Sequence, residues 1–233
     1  MPELDSPWPV CSGILGVNTW IVPSGPESVF VVDPAACALS GDGRAVTGFL
    51  ESRGLECVAV LLTHTHFDHI TGISAVKAEF PDAVLAVHEA ECGELGCVGP
   101  MNRHLLGLFR LGHLSRTVSE QPLPDVVFRG GENLGSVVRS ADSGVAGALS
   151  EWRIIHTPGH SPGSVCFYNG SRGWLISGDT LFSGTYGRTD MYGGDRRAMG
   201  RSLGLLAKAV RPGSRVYPGH DDWGFVMEEN VLI

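Results

Sequence analysis

The sequence predicts a protein of the α/β class, and three observations carry that prediction. An apolar run at 57–62, a helical stretch at 70–80 and a second apolar run at 83–87 follow one another as strand, helix, strand. Further short β-rich runs return after residue 125. The 32 glycines and 14 prolines favour many short strands joined by tight turns over long helices.

In chain order, 18–22 and 28–32 read as strands around the turn Pro23-Ser24-Gly25-Pro26, a hairpin ending at Asp33-Pro34. Residues 44–52 have helical spacing, with Ala45, Phe49 and Leu50 on one side and Gly54 placed to stop the helix. The strand at 57–62 is apolar throughout, as a strand buried on both faces requires. Pro81 ends the helix at 70–80. Residues 91–120 lack period-two alternation, while Leu105, Leu106, Leu108 and Phe109 form a helical stripe, so this segment is expected to be a helical excursion over the site. Strands at 126–128, 152–156, 164–168 and 173–177 form a second sheet, with small, polar 136–150 expected as a surface loop. Met199, Leu203, Leu206, Ala207 and Val210 mark a helix over 196–210, and 215–217 is the last strand. At 233 residues the chain is expected to form a single domain, 1–233, around one sizeable core.

The net charge of −8 and the absence of any basic cluster longer than Arg196-Arg197 argue against a nucleic-acid partner. The longest apolar run is far shorter than the ~20 residues of a membrane-spanning helix. The start of the chain, with Glu3 and Asp5 among prolines, lacks signal-peptide character, so a cytoplasmic protein acting on a small molecule is expected. The six cysteines show no C-x-x-C pair and are read as reduced, with Cys57 and Cys166 in the core.

The chemistry concentrates in Thr63-His64-Thr65-His66-Phe67-Asp68-His69, between an apolar strand and a helix. Four potential ligands this dense read as a metal site rather than as surface or capping residues. His64 and His66 are two apart and point the same way from extended backbone, while Asp68 and His69 fall where the chain turns into the helix. The cluster therefore splits into two ligand groups. His160 in Thr-Pro-Gly-His-Ser-Pro-Gly, Asp179 in Ser-Gly-Asp-Thr and His220 in Pro-Gly-His each follow an apolar run beside glycine, where side chains can converge. Cys92 and Cys97 are not needed to complete this set, and His88, His104, His113 and His156 are read as non-ligands.

Together with Gly-Asp-Thr-Leu-Phe-Ser-Gly-Thr-Tyr-Gly-Arg-Thr-Asp at 178–190, these motifs resemble the metallo-β-lactamase superfamily and, more narrowly, its hydroxyacylglutathione hydrolase (glyoxalase II) branch. The resemblance implies a four-layered αββα sandwich with two mixed sheets flanked by helices. It implies two metal ions, zinc in the first instance with iron or manganese able to replace it. His64, His66 and His160 would hold one ion, Asp68, His69 and His220 the other, and Asp179 would bridge them. Asp at position 179, where zinc β-lactamases commonly carry Cys, points to the hydrolase and lactonase branches. The activity implied is hydrolysis of a thioester of a small thiol by a metal-bridging hydroxide, with Asp68 orienting it. Arg188 matches the position where glutathione thioesterases place a basic residue against the thiol carrier, and an ion pair with Asp190 or Asp195 is its alternative.

After His220, where glyoxalase II carries a basic helical region that binds glutathione, only residues 221–233 follow, without Lys or Arg, so the carrier need not be glutathione. That tail is expected to pack on the body, and Arg103, His104, Phe109 and Arg110 to help build the substrate pocket. Two other activities fit the motifs. An iron-dependent persulfide dioxygenase shares Gly-Arg-Thr-Asp and the Asp-His-Ile-Thr-Gly of 68–72, and a lactonase shares the ligand set.

Overall fold

Two sheets packed face to face organise the computed structural model, which describes residues 5–229. The readings that fall on residues 1–4 and 230–233 lie outside the described residues. The first sheet runs β1 (Trp8–Ser12), β2 (Val17–Pro23), β3 (Ser28–Val32), β4 (Glu56–Leu61), β5 (Val84–His88) and β6 (Val126–Phe128), in that spatial order. Its first three strands are antiparallel and β3 to β6 parallel. Helices α1 (Ala45–Arg53), α2 (Phe67–Ile70), α3 (Ile73–Glu79), α4 (Pro100–Leu108) and α5 (Ser115–Ser119) belong to this half, and α6 (Leu134–Val137) and α7 (Ser143–Ser150) lead to the second. There β7 (Trp152–His156), β8 (Val165–Asn169) and β9 (Trp174–Gly178) are followed by the ribbon β10 (Leu181–Phe182) and β11 (Thr185–Tyr186), α8 (Arg196–Ala209), β12 (Arg215–Pro218) and β13 (Phe225–Val226). The spatial order of the second sheet is β13-β12-β9-β8-β7.

Side-chain alternation explains why this is four layers. On β3, Phe30 and Val32 face the second sheet while Val29 and Val31 face the helices, because successive Cβ atoms of a strand point to opposite sides. The inner layer joins Trp20, Phe30, Leu61 and Phe128 to Trp152, Phe167, Ile176 and Tyr217. One outer layer packs Leu50, Ile73, Val76 and Leu105 on the first sheet, and the other packs Met199, Leu203 and Leu206 on Cys166, Leu175 and Val216. Each fully buried Leu or Phe contributes about 1.5–3 kcal/mol of transfer free energy, so three such layers dominate the stability of the fold. Cys57 and Cys166 sit in the two outer layers, and burial pushes their thiols up to about 12 and about 11. Those thiols are packing groups at neutral pH.

Two expectations are corrected and one strand is added. Segment 136–150 is mostly helical rather than a loop: Asn133 and Asp142 cap α6 and α7 by accepting from Ser136 N and Val145 N, and Val145 and Leu149 are buried in the inner layer. The helix expected at 70–80 is broken into α2 and α3, because Gly72 N donates to Pro34 O and Thr71 Oγ1 to Ala35 O instead of continuing the helical ladder. Strand β1, for which the sequence carried no expectation, contains Pro9 and follows Pro7. An edge strand tolerates them, and β1 pairs only with β2. Within 91–120 the structure places α4 and α5, and among the described residues no helix is long and apolar enough to cross a membrane.

Candidate metal centre

All the motif residues stand beyond the carboxyl ends of strands from both sheets, where ligands bind in open α/β sheets. β4 delivers His64 and His66, α2 carries Asp68 and His69, and the segments after β7, β9 and β12 deliver His160, Asp179 and His220. Hydrogen bonds between the sheets bring these segments together. Val165 N donates to Thr63 O at 2.8 Å, Asn18 N to Gly219 O at 2.7 Å, and Trp20 Nε1 to Pro218 O at 3.0 Å. Gly219 is required sterically, since a Cβ there would collide with Asp179 Oδ1 and His69 Cε1.

Two donor groups without a shared residue result, and a third close cluster, Asp33 with His64 and His69, overlaps both. The candidate ligand atoms of His64, His66 and His160 all lie within 4.8 Å of one another, and so do those of Asp68, His69 and His220. Asp179 reaches both: its Oδ2 is 3.4 Å from His160 Nε2 and 3.7 Å from His220 Nε2, and its Oδ1 is 3.5 Å from His69 Nε2. All seven sequence-predicted ligands thus meet in one place.

Outer partners orient the rings. Thr63 Oγ1 donates to Asp33 and so receives the Nδ1 proton of His64 at 3.0 Å, leaving the buried Nε2 of His64 with no partner among the described residues. His69 Nδ1 donates to Asp33 Oδ2 at 3.0 Å, and His160 Nδ1 to Arg188 O at 2.9 Å, which turns both Nε2 atoms toward the shared space. His66 Nε2 and Asp179 Oδ1 are likewise buried without hydrogen-bond partners. Buried polar atoms left bare are costly, about 1–3 kcal/mol each, unless a cation satisfies them. The donor set therefore fits divalent metal ions, and its N/O composition suits zinc, iron or manganese.

Burial, followed by the surrounding histidines, holds His64 and His66 well below the ordinary histidine range. For Asp68, burial opposes ionisation, but His69 and His220 outweigh it and keep the carboxyl well below the usual range. Burial also opposes charge on His69, yet Asp179, Asp68 and Asp33 together raise it to about 10. The same competition raises His220, through Asp68 and Asp179.

Above the donors lies a cavity of about 400 Å³. Leu15, Phe67, Leu105, Phe109, Phe182 and Met191 supply its apolar walls, and Asp68, Tyr186 and Arg188 are among its polar groups. Of the four excursion residues expected to shape a pocket, Phe109 lines it, whereas Arg103, His104 and Arg110 do not. The Arg188 guanidinium pairs with both carboxylate oxygens of Asp190, at 2.9 and 3.0 Å. His88 and His156, read as non-ligands, stack on each other with ring centroids 4.1 Å apart.

Sequence reasoning missed Asp33 and Glu91. Asp33 looked like the end of a hairpin, but its backbone takes a left-handed φ of 52° and its buried carboxylate holds Thr63 N, Thr63 Oγ1 and His69. A signal existed: an acid directly after an apolar strand beside proline. Glu91 gave no such signal, lying in a segment without clear periodicity.

The sequence profile of the Metallo-beta-lactamase superfamily matches residues 12–220, and the chain belongs to that superfamily, whose fold implies divalent metal binding. Among curated relatives it is similar to a probable metallo-hydrolase of Bacillus subtilis, 29% identical over 206 residues, covering 85% of this chain and 88% of that one. A hydroxyacylglutathione hydrolase of Legionella pneumophila is 24% identical over 79% of this chain and 56% of its own length. Among solved structures, the BLEG-1 B3 metallo-beta-lactamase superposes with a TM-score of 0.78 at 26% identity, covering 96% of this chain and 95% of that one. The protein TTHA1623, crystallised in a di-iron-bound form, gives a TM-score of 0.72 at 28% identity, covering 97% and 100%.

Proposed function

We propose that this protein is a dinuclear metal-dependent hydrolase that cleaves the thioester of a small thiol, in the manner of the hydroxyacylglutathione hydrolases. The observation that carries the reading is Asp179 standing within 3.4–3.7 Å of ring nitrogens from both donor groups beneath a largely apolar cavity. His64, His66 and His160 would hold one ion, Asp68, His69 and His220 the other, and Asp179 would bridge them. Two such ions, zinc in the first instance, supply Lewis acidity and lower the pKa of water.

The chain's own residues do the rest. Asp68 lines the cavity floor, held by His220 Nε2 at 3.3 Å, and orients the attacking water while accepting its hydrogen bond. Phe67, Leu105, Phe109 and Met191 exclude solvent around the acyl group. The water loses a proton to bulk solvent, its oxygen forms a C–O bond at the thioester carbon, and the C–S bond then breaks to give the carboxylic acid and a thiolate that leaves without a dedicated acid. Arg188 stands at the cavity wall in a pair with Asp190 that is more than half exposed. Such pairs contribute about 0–1 kcal/mol, so a substrate carboxylate can take the place of Asp190. The acidic chain is read as cytoplasmic, without nucleic-acid or membrane partners.

Steady-state hydrolysis by metal-replete enzyme across S-lactoylglutathione and other acyl thioesters tests this reading; no turnover of any of them would overturn it. Metal analysis separates the alternatives: two ions with thioester turnover support the hydrolase, whereas one iron with oxygen uptake on a persulfide would identify a dioxygenase. A lactone arm in the same assay would reveal a lactonase.

A further inference from the structure

His64 and His66 come from a loop of the first sheet, His160 from a loop of the second, and one buried carboxylate holds both loops. We infer that Glu91 is a positioning residue for the three-histidine group, keeping the loops in register so that the three rings meet. The inference rests on the proposed reading of that group as a metal site.

Glu91 lies in the 3-10 turn Glu89–Glu94 that follows β5 and is 2% exposed. Its Oε2 accepts from Thr65 N at 2.7 Å and Thr65 Oγ1 at 2.8 Å, between His64 and His66. Its Oε1 accepts from Gly163 N at 2.7 Å and from Ser161 Oγ, the residue after His160. Each oxygen therefore serves one loop. Among the described residues no Lys, Arg or His forms an ion pair with Glu91, so its partners are these four donors. Gly163 admits the carboxylate, because a Cβ there would lie 2.9 Å from Glu91 Cγ. Thr65 is held from its other side as well, where Asn102 Nδ2 donates to Thr65 O at 2.8 Å and Glu94 receives the N–H groups of Met101 and Asn102.

A second buried carboxylate, Asp33, holds His69 directly and His64 through Thr63, whereas the four donors to Glu91 all flank the three-histidine group, so loss of Glu91 should act on that group. An amide at position 91 keeps the volume but offers one acceptor oxygen and one donor nitrogen. Whichever loop faces the nitrogen then meets donor against donor.

The test is metal titration of the full chain against a chromophoric chelator, with Zn²⁺ and with Co²⁺, recording the visible cobalt spectrum. Wild-type protein comes first: failure to bind two ions there would sink the reading of the site, independently of Glu91. In Glu91→Gln one ion is expected to bind with wild-type affinity and the other about 10–100-fold more weakly, with an altered cobalt spectrum. Glu91→Asp, charged but too short to serve both loops, should not restore it. Ser161→Ala, which leaves the Thr65 half intact, should show a smaller loss of the same ion. Unchanged affinities in Glu91→Gln, full restoration by Asp, or parallel loss of both ions with a lowered Tm would overturn the inference. If Glu91→Gln does not fold, Ser161→Ala decides alone, and wild-type affinity in that variant would overturn it.

Discussion

The two donor groups each take residues from the motif at 63–69 and one histidine from the second sheet, yet their surroundings treat a proton differently. Burial and neighbouring histidines keep His64 and His66 neutral, with bare ring nitrogens near neutral pH. Asp179, Asp68 and Asp33 raise His69 to about 10, and Asp68 and Asp179 raise His220, so both rings favour the protonated form more than a free histidine does in the metal-free protein. His64 and His66 are prepared for a cation by excluding protons, whereas His69 must exchange a proton for its cation. Burial is the first cause for His64 and His66, whereas at His69 the carboxylates of Asp179, Asp68 and Asp33 outweigh it.

Replacing the residue that reaches both groups tests the comparison most severely. Asp179→Ala is expected to lower kcat/KM by about a thousandfold or more, corresponding to the several kcal/mol that metal ions contribute to such reactions. Metal content measured alongside should fall below two ions per chain. Unchanged metal content and activity would remove the link between the groups.

Asp33→Asn separates them next. It weakens the acceptor that orients His69 directly and His64 through Thr63, and should reduce affinity at the second group by about 10–100-fold and at the three-histidine group by less. Calorimetric titration would show the two binding events shifted unequally, and an equal shift in both would contradict the division.

Changing pH sharpens the contrast without mutation. His69 is raised from 6.5 to about 10, so its contribution to the metal-free fold is fully present below about 6.5 and is lost as pH rises through about 10. The Tm of metal-free protein should therefore carry a declining component across that window. Over the same window the second group should bind metal more tightly, by up to ~tenfold per pH unit for each proton displaced, while the first group changes less. Proton release measured in two buffers would check the sign.

The smallest effect concerns the rim. Arg188→Ala breaks an exposed pair worth about 0–1 kcal/mol and should raise KM for an anionic thioester about fivefold at most, leaving kcat near wild type. A neutral thioester should show no change. A large loss of kcat would place Arg188 nearer the reacting atoms than its pairing with Asp190 suggests.

The candidate ligand set was legible because four of its members crowd into 64–69 and the other three each follow an apolar run beside glycine, patterns visible without knowing the fold. The residues that steady those ligands were not. Asp33 and Glu91 act through hydrogen bonds spanning 26 to 72 positions, and no local spacing records such partners. Likewise, 136–150 is small and polar enough to read as a loop, yet Asn133 and Asp142 cap helices there once Val145 and Leu149 have a core to enter.

The sequence by itself determined the alternation of strands and helices, the chemical identity of the seven candidate ligands and their division between a pair and a turn. These depend on side-chain type and on periods of two and 3.6, which are local properties. Only the tertiary structure decided that Asp179 reaches both groups, that β2 holds the His220 segment, and that Glu91 serves the loops of both sheets. Those relations arise when two sheets pack face to face, and hydrophobic burial that drives the packing is non-directional, so the partners are set by geometry rather than by neighbours in the chain.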